Sequence, residues 1–294
     1  MNISTTLKSP KVFSLQFLNT KFIRKMEIKN FIFYFFLFFF SIIIFFPILY
    51  AVSTSFMDTK DIMLGKIIPS KITFENYRQL LTTSSIEIIF FNSLVTSFVG
   101  MILQILLCSL SAYAIVFIEF KSKKSIFLLI MISIFIPWES IFIPNYFTVL
   151  KLNLLNTKIG ILLPFIANGL GIFLMVQQFK TLNKSLIEAA KIDGCSHIFI
   201  YSKIVLPLSK GVISTWAIYS FLNIWNMYLW PLMVSTRPES RTIQIGLKML
   251  KAEEGINFGL LMSGVVIVIF PSLIVLFIGQ KQLQKGMLSG AVKE

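Results

Sequence analysis

From Phe31 to Tyr50 the chain runs for twenty residues without a charged side chain. That is the length of helix that crosses the hydrocarbon core of a bilayer, about 20 residues. Five more stretches have comparable length and polarity, so the sequence predicts six spanning helices at roughly 29–56, 86–118, 125–147, 158–180, 208–234 and 258–280. The expected fold class is an all-α polytopic membrane protein. A hydrophobic content of 56% and a mean hydropathy of +0.81 agree with this, since soluble domains sit near about 45–50% apolar. Pro47, Pro137, Pro144, Pro164 and Pro271 fall inside the predicted spans, where neighbouring helices can satisfy the carbonyls they free, and they are expected to mark kinks. Residues 1–28 read as a basic tail, 29–280 as the membrane domain with a polar loop at 181–207, and 281–294 as a second tail. The first apolar run is too long for the core of a secretory signal and reads as a retained helix.

Charge sets the expected orientation. The net charge of +14 is scattered between apolar segments rather than gathered into a domain that could grip nucleic acid. With both termini inside, the cytoplasmic segments hold seventeen of the 27 basic residues and five of the 13 acids. That is the bias that places a loop in the cytoplasm, and it puts the 181–207 loop there. The connection from Met57 to Ser85, the Lys151–Lys158 loop and the stretch from Ser235 to Asn257 are then outside. Within the last, the amphipathic run Ile243–Leu250 has the pattern of a helix lying along the outer surface. Cys108 and Cys195 are far apart, without metal-ligand spacing.

The polar stretch Leu186–Pro207 stands out between two apolar blocks. Ser185 and Glu188 have capping-box spacing, with Asn183 a rival cap. A short helix through Ile192 is expected to stop at Asp193-Gly194, because glycine enters the left-handed conformation without steric cost. A second helix, from about Ser196 to Val205, leads through Leu206-Pro207 into the next span. Ala189 and Ala190 lack bulk, so another protein's surface could approach. Glu188 and Asp193 offer charge, and Ile192, Ile198 and Ile200 offer apolar anchors.

The order Glu188-Ala189-Ala190, then Asp193-Gly194, then Leu206-Pro207 resembles the EAA loop of bacterial ABC importer permeases. Phe74-Glu-Asn-Tyr77, Phe91-Asn-Ser-Leu94, Trp225-Asn226 with Trp230-Pro231, and Gly290-Ala-Val-Lys293 are similar to the carbohydrate-uptake branch. Within it they resemble the second permease of maltose and glycerol-3-phosphate systems. The resemblance implies a type I importer (MetI-like) permease fold of six helices. It also implies a coupling role for Glu188, Ala189, Ala190, Asp193, Gly194, Leu206 and Pro207 in a groove of the ATPase. The implied partners are a second permease subunit, two ATP-binding subunits and an extracytoplasmic solute-binding protein. The implied location is the cytoplasmic membrane, and the implied cargo a sugar or polyol derivative. Departures are the Leu182-Asn183 region in place of a proline, Cys195 after Asp-Gly, and Lys210-Gly211 where a proline is common.

A sugar path needs polar groups for hydroxyls and aromatic faces for the ring. Tyr219, Asn223, Trp225, Asn226, Tyr228 and Trp230 in the fifth span supply both, although Trp and Tyr also gather at membrane interfaces and Asn joins helices. Glu139 is an intramembrane acid and so a functional candidate, unless it reaches the interface beyond Pro137-Trp138. Gln104, Asn168 and Gln177 are more often helix joiners, and the lone His197 has no partners for a metal or relay role. The sequence carries no P-loop, zinc-protease motif or nucleophile elbow. The expectation is therefore no enzyme and no cofactor of its own, with ATP and Mg used by partner subunits. A membrane-embedded enzyme would want clustered acids or histidines, which are dispersed here. An autonomous secondary transporter would want paired halves, and no repeat is visible.

Overall fold

The structure, a computed structural model, describes residues 20–83, 85–252 and 257–291, so the motif residues Val292 and Lys293 lie outside the described residues. Every regular element among the described residues is helical. The chain divides into two compact units at Tyr50. The first contains most of α1 (Thr20–Ser55), which begins nine residues before the predicted span and exposes its side chains from Phe31 to Phe40.

The second unit opens with the end of α1 and continues through α2 (Thr59–Met63), α3 (Glu75–Thr83) and α4 (Ile86–Phe117). Then come α5 (Lys123–Ile134), α6 (Trp138–Lys151), α7 (Lys158–Leu162) and α8 (Gly169–Lys180). The hairpin region holds α9 (Lys184–Ile192), α10 (His197–Ile200), a π-helical turn over Tyr201–Val205 and α11 (Leu206–Leu208). Finally come α12 (Lys210–Trp225), α13 (Leu229–Val234), α14 (Ile243–Ala252) and α15 (Phe258–Ala291). Helix α4 packs against α8 and α12, and α12 packs against α15.

Three of the predicted spans are not straight helices. The third, 125–147, is α5 and α6 meeting at 104°. Pro137, which has no N–H to continue the ladder, sits at that corner with extended backbone. The fourth is the pair Lys158–Phe165 and Gly169–Lys180, bent by 53° and restarted by Asn168, whose Oδ1 accepts from Gly171 N at 3.2 Å. The fifth, 208–234, stops at Trp225, and α13 sets off separately, held by the Trp230 indole donating to Ile161 O at 3.1 Å. One span is expected over 208–234 because α12 and α13 are both apolar, and hydropathy does not register which carbonyl a tryptophan finds. Among the described residues three helices are long and apolar enough to cross a membrane, and there are six spans if each bent pair, the last being His197–Leu208 with Lys210–Trp225 at 81°, is one crossing.

The loops expected on one side gather at one end of α4. Asn92 Nδ2 donates to Glu239 O at 2.7 Å and to Arg241 O at 3.3 Å, while Ile243 N donates to Ser93 Oγ at 2.6 Å. Asn156, with φ 61, accepts at Oδ1 from Thr236, Ser240 and the backbone of Arg237. Asn76 Nδ2 donates to Ser55 O and Met57 O at 3.0 and 2.8 Å, tying α3 to the end of α1. The Phe-Glu-Asn-Tyr and Phe-Asn-Ser-Leu motifs are therefore fastenings of these loops. In the same end of the molecule Asp61 is 4% exposed. It is held by Lys66 at 2.7 Å and by Ser70 N, with its carboxyl lowered to about 2 chiefly by the Lys66 hydrogen bond. The run from Ile243 to Leu250 is helical as expected, but its apolar face packs on protein. Ile243 and Ile245 are buried, and Gly246 lies against Ile89. That contact corrects the surface-lying reading: an amphipathic period says only that one face is apolar, and here the α3, α4 and α15 side chains cover it.

Candidate functional site

At the other end of α4 the chain between α8 and α12 forms a hairpin of two helices. Asn183 is the N-cap of α9, its Oδ1 accepting from Ser185 N at 3.0 Å. The rival cap therefore holds the position, and the capping box centred on Ser185 is not made, because Ser185 Oγ is itself donated to Asn183 Oδ1 at 2.8 Å. The helix ends in two paired backbone bonds, Gly194 N to Lys191 O at 3.1 Å and Cys195 N to Ala190 O at 2.9 Å. This is the Schellman arrangement. It requires the left-handed backbone that Gly194 supplies at φ 78. Cys195 packs against the buried cluster around Ala190, the apolar contact that accompanies this cap, which accounts for a small apolar residue after Asp-Gly. Ser196 Oγ then accepts from Phe199 N at 3.3 Å and starts α10.

The hairpin sorts its residues sharply. Glu188, Ala189, Asp193, Gly194 and Pro207 are exposed, and Leu206 is half-buried. Ile192 and Ile198 flank the glycine turn with 86% and 80% of their surface open, an arrangement that costs free energy in water unless something covers it. Ala190 is buried, packed with Ile187 and Ile200 into the cluster of Tyr113, Phe179 and Trp216. The reading that both alanines open the surface is corrected accordingly. Only Ala189 faces outward, and the small size of Ala190 lets α9 lie against α4 and α8. Ile200, expected as an anchor, is likewise buried.

His197 Nδ1 meets Tyr113 OH at 2.9 Å, and Tyr201 OH meets Ser109 Oγ at 2.7 Å. Of these four the sequence draws attention only to His197, and to no partner for it. Their i,i+4 spacing within α4 and across α10 into the π turn puts each pair on one face, but nothing in the sequence brings the two faces together.

The six residues expected along a substrate path separate into two groups. Trp225 and Trp230 are buried, donating their indole N–H groups to Val268 O and Ile161 O, each at 3.1 Å. They anchor α12 and α13, and their indole N–H groups are not free for a substrate in this conformation. Tyr219, Asn223 and Asn226 are exposed and recur at i, i+4 and i+7, one face of α12 that the chain leaves uncovered. Tyr228 is half-buried, with Lys248 Nζ 5.1 Å from its ring centre. Gln104 joins helices as expected, donating from Nε2 to Phe165 O at 2.9 Å and accepting from Ser220 Oγ at 2.8 Å. Glu139 is exposed in the first turn of α6, where a carboxylate meets unpaired N–H groups. Among the described residues no cluster of three or more His, Cys, Asp or Glu side chains is placed to hold a metal.

Comparison with known proteins gives a consistent picture. The family described as binding-protein-dependent transport system inner membrane component matches residues 104–289. The arabinooligosaccharides transport system permease protein AraQ of Halalkalibacterium halodurans is 34% identical, covering 84% of this chain and 91% of that protein. The lactose transport system permease protein LacG of Rhizobium radiobacter is 30% identical, over 84% of this chain and 90% of its own. The sn-glycerol-3-phosphate transport system permease protein UgpE of Rhizobium meliloti is 31% identical, over 90% and 98%. A crystal structure of a bacterial ABC transporter involved in the import of the acidic polysaccharide alginate contains a chain of the same fold. It has a TM-score of 0.81 at 23% identity, covering 88% of this chain and 98% of that one.

Proposed function

Since this chain belongs to the family of binding-protein-dependent transport system inner membrane components, we propose that it forms half of the pathway of a sugar importer and receives force through its hairpin. It is a multi-pass membrane permease of an ABC importer and not itself an enzyme. In the proposed assembly a second permease completes the pathway, a solute-binding protein delivers cargo outside, and two ATPase subunits use ATP and Mg inside. Both termini and the hairpin are on the cytoplasmic side, as the excess of basic residues there favours.

The observation that carries this reading is the hairpin surface. Ile192 and Ile198 are nearly bare on either side of Gly194, with Glu188 and Asp193 beside them. An apolar pair rimmed by charge and centred on a turn with open space above it suits insertion into a groove of another protein. ATP-driven closure of the ATPases then favours one of two packings of α8 and α12, and differential binding to the two states is all the permease has to provide. Glu188→Lys is expected to abolish uptake and ATPase co-purification with the membrane subunit still present. Wild-type uptake by that variant would overturn the assignment.

For the cargo we propose an uncharged sugar or oligosaccharide. Tyr219 and Asn223 offer an aromatic face and an amide, Asn226 being bonded to Leu222 O and Gln244, and the exposed stripe they form carries no ionic group. A phosphate ester would call for a cation on that stripe, whereas Lys248 is held over the Tyr228 ring. Two of the relatives above are named for arabinooligosaccharides and lactose. Uptake into vesicles holding the complete transporter, compared for an arabinooligosaccharide, lactose and sn-glycerol-3-phosphate, tests this. Preference for the phosphate ester would refute it.

A further inference from the structure

Helix α4 is not joined to the hairpin by a short connection, as α8 and α12 are, yet it grips it at two points. Ser109 and Tyr113 lie one turn apart on α4, and His197 and Tyr201 lie one turn apart on the second arm of the hairpin. They pair in antiparallel order, Tyr113 with His197 at 2.9 Å and Tyr201 with Ser109 at 2.7 Å. Ser109 sends its own proton to Ile105 O at 2.6 Å, so Tyr201 is the donor of its rung. Ser109 and Tyr113 are buried. The rings close the ladder edge to face, with Tyr113 5.5 Å from Tyr201 and 5.9 Å from His197. Tyr201 also opens the π-helical turn, a geometry found mostly at functional positions.

The polar seam continues along α4. Cys108 Sγ lies 3.5 Å from Asn168 O at the head of α8, and Gln104 holds Ser220 of α12 and Phe165 O. Ser220 adjoins Tyr219, the first residue of the exposed stripe. From Tyr113 to Gln104 is nine residues, about 14 Å of helix. Side chains of this one helix thus touch the hairpin at one level and the neighbour of the proposed sugar path at another.

We propose that the Tyr113–His197 and Tyr201–Ser109 rungs form a second, non-covalent route by which movement of the hairpin reaches the pathway, with these four acting as positioning residues. Without the rungs the hairpin keeps its two ends and its non-directional apolar packing on α4, over which it could pivot about Gly194 and the 81° corner between His197–Leu208 and Lys210–Trp225 without turning α4. With both rungs made, α10 and α4 move together, and Gln104 carries the displacement to α12. The inference rests on the hairpin being where the ATPase engages.

The test uses the complete transporter in vesicles. A reporter Asn223→Cys is introduced with Cys195→Ser, while Cys108 stays, being fully buried. Labelling of the reporter by a membrane-impermeant thiosulfonate is measured with and without trapping by ATP and vanadate. The hydroxyl deletions leave no buried partner stranded, since Ser109 keeps Ile105 O and His197 is exposed to water. Tyr113→Phe and Tyr201→Phe are each expected to reduce the change in labelling produced by trapping, and the double variant to lose most of it, because α10 freed from a rung moves without carrying α4. His197→Gln, which keeps a polar partner, is expected to stay near wild type. The ATPase is expected to co-purify with every one of these variants. A full labelling switch in the double variant would overturn the proposal. So would loss of the ATPase together with the switch, which would make the ladder part of the docking fold. The Glu188→Lys variant reports on ATPase engagement separately: retention of the ATPase there would undercut the docking reading itself.

Discussion

Gly194 separates a backbone requirement from a partner's requirement. Its φ is 78, and a Cβ built on it would meet nothing within 4 Å. Within this chain, then, an alanine methyl there costs only the left-handed backbone, about 1–2 kcal/mol. That amounts to a factor of about 5–30 in the population of the turn. Asn tolerates this conformation better than other non-glycine residues and should recover part of the loss. Gly194→Ala is therefore expected to reduce uptake by no more than that factor, and Gly194→Asn by less. Gly194→Trp carries the same backbone cost but adds an indole at the exposed turn beside Ile192 and Ile198, where the ATPase groove is proposed to lie. It should abolish co-purification of the ATPase and all uptake, while the detergent-solubilised subunit melts within error of the alanine variant. If the alanine and tryptophan variants transport and bind alike, no partner surface approaches the turn and the coupling assignment fails.

Three further outcomes are expected. Trp225→Phe and Trp230→Phe each leave a buried carbonyl, Val268 O or Ile161 O, without its donor. They should destabilise the subunit by about 1–3 kcal/mol in thermal unfolding without changing the half-saturating sugar concentration, and a change in that concentration alone would place them on the path. Asn223→Leu should do the reverse, raising the half-saturating concentration with the melting temperature unchanged; unaltered uptake kinetics would remove α12 from the pathway. The carboxyl of Asp61 is lowered from 3.8 to about 2, so its ionised form stabilises the loop fully above about 4, and that contribution is lost as pH falls through about 2. Limited proteolysis of residues 57–72 should accelerate over that window in the wild type. Asp61→Asn should be cleaved faster at neutral pH and show no such dependence, and an unchanged acid profile in that variant would refute the assignment.

The resemblance motifs are legible in the sequence, but their physical jobs are not. Asn76, Asn92 and Ser93 proved to be fastenings of loop backbone, each satisfying carbonyl or N–H groups from segments up to 150 residues away. By residue type Trp225 and Trp230 suit a sugar path, because an aromatic face suits a pyranose ring. The structure spends their indole N–H groups on buried carbonyls instead. Asn223 and Tyr219, chosen by the same reasoning, are the ones left uncovered. Residue type alone did not separate the two groups, since what differs is which side of α12 and α13 the neighbouring helices occupy.

Local chemistry is what the sequence determined by itself. Apolar runs of bilayer length dictate membrane helices, Asp193-Gly194 dictates a helix end because only glycine takes that backbone freely, and the distribution of Lys and Arg biases which loops share a side. The tertiary structure alone decided the bend of 104° at Pro137 and the inward turn of Ala190. It also decided that Ser109 and Tyr113 face His197 and Tyr201, residues 84 and 92 positions away in the chain. Contacts at such separations depend on how helices pack side by side, and packing is set by the shapes of many side chains at once rather than by the period or polarity of any one segment.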